Sequence, residues 1–60
     1  MTSYEAIMIA EGAQPSTKEL YIGAWQYLID TGLCWKLQGW FGREATRMIE
    51  EGTCHENREL

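Results

Sequence analysis

The sequence predicts an all-α fold: a compact bundle of three helices plus a short connecting helical turn. Three observations carry that reading. Thr2-x-x-Glu5 and Ser16-x-x-Glu19 both match the capping box, in which two orphan amide groups at a helix start are satisfied reciprocally. Gly12, Gly32 and Gly52 each follow a stretch of helical spacing, where glycine tolerates the left-handed turn that ends a helix. Apolar residues between these signals recur at i, i+3 and i+4, which leaves little room for a sheet.

The first helix is expected over Ser3 to Glu11, with Tyr4, Ile7 and Met8 on one face and Ile9 off it. Pro15 then separates it from a second helix over about Thr17 to Asp30. There Leu20, Tyr21, Ala24, Trp25 and Leu28 form one stripe, widened by Ile22 and Ile29. The resulting arc exceeds the roughly 100° that one neighbour covers, so this helix is expected to be central. Gly32 and Leu33 read as a Schellman stop, with Leu33 folding back toward Leu28. Leu33 to Gln38 is ambiguous. It reads as a short helical turn ended by Gly39, with Leu33 and Leu37 together and Trp35 opposite. The last helix, about Phe41 to Glu51, would bury Phe41, Ala45, Met48 and Ile49 and expose Arg43, Arg47 and Glu50. Arg47 is spaced to pair with Glu44 and Glu51, worth tenths of a kcal/mol. Residues 1–52 therefore form a single helical domain, and residues 53–60, being mostly polar, a flexible C-terminal tail.

Length and charge exclude several functions. A chain of 60 residues buries only about 60% of the surface its unfolded form exposes. One core of that size contributes on the order of 3–5 kcal/mol. Enclosing a substrate would take apolar side chains that packing needs, so no enzyme and no cofactor is expected. Nine Asp and Glu against five Lys and Arg give a net charge of −4 with no basic run. That balance offers no phosphate neutralisation for direct nucleic-acid binding and no attraction to an anionic membrane. No stretch approaches a signal-peptide core or the roughly 20 apolar residues of a membrane span. A cytoplasmic protein with two reduced thiols, Cys34 and Cys54, is the expectation.

The chemical motifs are weak. Cys34, Cys54 and His55 are the only soft ligands, fewer than the four of a structural zinc site, so no metal is expected. A Cys–His catalytic pair would place its base in the expected tail, where it is not held near a nucleophile. Glu50 and Glu51 are helical neighbours that diverge by about 100°, unlike a carboxylate dyad. Gly39 and Gly42 lack the Lys-Ser/Thr of a phosphate loop. A helix-turn-helix would read bases with Cys34-Trp35-Lys36-Leu37-Gln38, which offers one cation and is mostly apolar.

What remains is aromatic. Trp35 and Trp40 flank Gly39 on the least regular segment, with Arg43 and Arg47 close by. Tryptophan and arginine dominate interface hot spots, so these four are the candidate partner-binding residues. The competing reading is that both tryptophans cover the end of a small core.

Tyr4-Glu5-Ala6-Ile7-Met8, the LIDTGL-x-W-x-LQG-x-F-G-R pattern of Leu28 to Arg43, and Met48-Ile49-Glu50-Glu51-Gly52 resemble small uncharacterised proteins of bacteriophage genomes. The resemblance covers most of residues 4–52. It implies a small tailed-phage protein in the cytoplasm of a bacterial host, and it carries no catalytic residue. The function expected is therefore non-enzymatic: a phage accessory protein for host takeover that binds and modulates a host or phage protein. The alternatives are an acidic inhibitor of a nucleic-acid-handling complex (anti-CRISPR or DNA mimic) or a minor virion component. In the inhibitor, Glu11, Glu19, Asp30, Glu44, Glu50 and Glu51 would carry binding. The wide apolar arc also leads to an expected homodimer, with Trp40 nearer the contact than Trp25.

Overall fold

A computed structural model describes residues 1–56. Among them the order is α1 (Ser3–Ala10), α2 (Lys18–Asp30), a 3-10 turn (Leu33–Trp35) and α3 (Gly39–Glu50), with no strand. The protein is an all-α small bundle.

Its start signals are local hydrogen bonds. Thr2 Oγ1 accepts from the Glu5 amide at 3.1 Å, as the first capping pattern requires. The second cap is Thr17 and not Ser16: Thr17 Oγ1 accepts from Leu20 N at 3.1 Å. The stop signals follow the glycines at positive φ. After α1, Ala13 N donates to Met8 O (3.0 Å) and Gly12 N to Ile9 O (3.0 Å), a complete Schellman pair. After α3, Thr53 N donates to Met48 O (2.9 Å) and Gly52 N to Ile49 O (3.1 Å) in the same way. At Gly32 the arrangement differs. Gly32 N reaches Ile29 O at 3.1 Å, while the Thr31 hydroxyl donates to the carbonyls of Tyr27 and Leu28, and the chain runs on into the 3-10 turn.

α1 and α2 form an antiparallel hairpin, with Ser3 Oγ at the start of α1 3.3 Å from the Tyr27 hydroxyl late in α2. The face of α1 that packs is not the expected one. Ala6, Ile9 and Ala10 are buried, whereas Tyr4 is 72% exposed. Two of these three are alanines, small enough to leave little between packed helix backbones, while the larger Tyr4 lies on the neighbouring, more exposed stripe. α2 is central, as its wide arc predicts: Ala24, Trp25, Leu28 and Ile29 are buried, and Tyr21, Ile22 and Tyr27 are partly so. Leu20, at the exposed first turn of α2, leaves the expected stripe.

α3 closes the core with Phe41, Ala45 and Met48. It begins at Gly39, two residues before the expected start, so Gly39 opens a helix and does not end the preceding turn. Trp25 is fully buried at the junction, edge-on to Tyr21 (6.5 Å between ring centroids) and to Trp40 (6.2 Å), and tilted on Phe41 (5.9 Å). Among the described residues its indole nitrogen has no hydrogen-bond partner. Desolvating that N–H is unfavourable, and the burial of the ring offsets it.

The segment after α3 is docked, contrary to the tail expected from residue 53. Cys54 is 1% exposed, its thiol 3.9 Å from the Ile22 carbonyl oxygen. The Gln26 amide grips the His55 backbone at both ends, accepting from His55 N at 2.9 Å and donating to His55 O at 2.8 Å. Residues 57–60 of the expected tail lie outside the described residues. Among the described residues, no helix is long and apolar enough to cross a membrane.

Candidate functional site

The site begins with Cys34. Its side chain is buried and pins the 3-10 turn to the core. Residues in so tight a helix are about 120° apart, so burying Cys34 turns Trp35 outward, and half of Trp35 is exposed. α3 passes beneath that ring at Gly42, where a methyl group would lie 3.5 Å from Trp35 Cε3 and 3.7 Å from the Cys34 carbonyl oxygen.

Between the turn and α3 runs an open groove of about 440 Å³. Trp35 and Leu37 form one wall, Gly39, Gly42 and Thr46 the other, with Arg43 on the rim. The volume lies within the range of ligand pockets, roughly 300–1,000 Å³. Glycines at 39 and 42 keep the α3 wall low. The Arg43 guanidinium folds back one helical turn over Gly39, its Nη1 3.3 Å from where a β-carbon would stand. Among the described residues, Arg43 makes no ion pair or hydrogen bond.

Arg47 is in the opposite condition. It is bound by Glu44 through two guanidinium nitrogens and by Glu51 at 2.8 Å. Donating hydrogen bonds to these two carboxylates raises the guanidinium pKa, and the hydrogen bond from Arg47 holds the Glu44 carboxyl below its ordinary range. Trp40 is likewise engaged within the chain. It stacks on Phe41 with 4.0 Å between centroids and an interplanar angle of 28°, and its Nε1 donates to Gln38 Oε1 at 3.2 Å.

The four expected partner-binding residues therefore divide. At about 100° per residue, Gly39, Gly42, Arg43 and Thr46 share one flank of α3. Trp40, Glu44, Arg47 and Glu51 share the other, and Phe41, Ala45 and Met48 face the core between them. The structure brings Trp35 and Arg43 together and sets Trp40 and Arg47 apart from them. Gly42 and Thr46, which complete the groove, were not among the expected residues. Their signal was a row of small residues, Gly39-x-x-Gly42-x-x-x-Thr46, recurring on one helical face.

The thiols sit in apolar surroundings. Burial pushes Cys34 up from about 9 to about 11, and it raises Cys54 as well, helped by the nearby Asp30 charge. At neutral pH both are thiols and not the nucleophilic thiolates. Among the described residues, no group of three or more His, Cys, Asp or Glu is placed to hold a metal.

No curated protein and no solved structure matches the chain. One family model does, and it spans residues 1–60: the chain belongs to the family described as a domain of unknown function, DUF7417.

Proposed function

We propose that this chain is a non-catalytic phage accessory protein that binds and modulates a host or phage protein in the bacterial cytoplasm, with the Trp35–Arg43 groove as its docking surface. The observation that carries this reading is a half-exposed tryptophan beside an arginine that has no partner among the described residues, on an open apolar groove. Such side chains supply most of the binding free energy at protein interfaces. The phage setting rests on the sequence resemblance. Of the six carboxylates a DNA-mimicking inhibitor would present, three are engaged within the chain: Glu44 and Glu51 by Arg47, and Asp30, which accepts from Gln26 at 2.8 Å.

Affinity capture from phage-infected cells tests the proposal, with wild type and Trp35→Ala as baits. Losing a hot-spot tryptophan removes about 2 kcal/mol or more, so recovery of the partner should fall at least tenfold while the melting temperature stays the same. Equal recovery by the two baits would reject the groove. Capture that collapses between low and high salt would favour the acidic inhibitor.

A further inference from the structure

We infer that the groove takes a partner segment in which an apolar side chain adjoins a carboxylate. The inference rests on the docking reading above and adds the chemistry of what docks. Among the described residues the lining contains no carboxylate, although the chain as a whole carries a net charge of −4. Two side chains in it offer unused donors. The Arg43 guanidinium has no partner among the described residues, and Gln38 has its amide oxygen engaged by Trp40, which leaves the amide NH₂. The Thr46 hydroxyl already donates to the Gly42 carbonyl at 2.8 Å.

Apolar surface from Trp35 and Leu37, with a planar guanidinium over Gly39, complements an aliphatic group next to an acceptor of two hydrogen bonds. Arginine binds carboxylate in that bidentate way. The groove is open along one side, so it covers one face of an occupant. Small-molecule pockets enclose about 70–90% of their ligand, so an open groove suits a segment of a larger partner that makes further contacts elsewhere.

The test is a nuclear magnetic resonance titration of the full chain with three capped tripeptides: acetyl-Leu-Asp-Leu-amide, its Asn analogue and its Lys analogue. The Trp35 indole N–H and the Arg43 Nε–H are followed. The Asp peptide should bind about tenfold more tightly than the Asn peptide, with the Lys peptide weakest, because a charge-assisted hydrogen bond is about twice as strong as a neutral one. Arg43→Gln should erase the preference while leaving the other amide resonances in place. Equal binding of all three peptides would overturn the acidic assignment and leave docking standing. No shift with any peptide at millimolar concentration would overturn both. Groove resonances that move with protein concentration alone would seat a second copy there and reject the acidic segment.

Discussion

Leu28 shows how little margin a molecule of this size has. It is fully buried in the same core as Trp25, and truncation of such a residue costs about 2–5 kcal/mol. A core of about 60 residues contributes on the order of 3–5 kcal/mol in all. Leu28→Ala should therefore be largely unfolded at 25 °C by circular dichroism. Cys34 contributes to stability on the alkaline side. Its pKa is higher in the folded chain, about 11, than the ordinary value of about 9, so the folded state retains the proton that the unfolded state releases. The contribution is complete below pH 9 and is lost as pH rises through 11, with Cys54 acting in the same direction. The midpoint of thermal unfolding should fall across that interval, and the fall should be shallower in Cys34→Ala. Residues such as Trp25, Leu28, Phe41 and Met48 were legible because each lies on the apolar stripe of its helix. Cys54 was not. Its neighbours are polar, and its burial depends on Gln26 holding His55, a contact between residues 29 apart in the chain.

At the scale of the element, glycine separates the roles. Gly23 lies mid-α2 with open space where a β-carbon would go, so Gly23→Ala should stabilise by about 0.5–1 kcal/mol in a urea titration. Gly42→Ala should do the same, since its methyl would meet the Trp35 ring at an ordinary 3.5 Å, yet it would narrow the groove and weaken partner capture. Gly32 has φ near +79°, so Gly32→Ala should instead cost about 1–2 kcal/mol. The existence and order of the helices were readable from caps and glycines. The packing face of α1 was not, because alanine carries little hydropathy signal and two of the three buried residues of α1 are Ala6 and Ala10. The start of α3 was missed for a related reason. Gln38 makes no side-chain cap, so Gly39 had no serine, threonine, aspartate or asparagine before it to mark it as an opening and not a stop.

At the scale of the whole molecule, the two surface tryptophans divide their labour. Trp40 is stacked into the aromatic cluster, which limits what it can offer the homodimer expected from the sequence. Trp35 faces solvent across a groove whose donors stand out from an otherwise acidic chain. Trp40→Ala should lower the melting temperature, and Trp35→Ala should not. Indole N–H exchange at all three tryptophans, with and without the captured partner, tests the groove most directly. In the free protein Trp35 should exchange fastest and the fully buried Trp25 slowest, and partner binding should slow Trp35 alone. Protection that falls on Trp40, or on no indole at all, would contradict the groove as the docking surface.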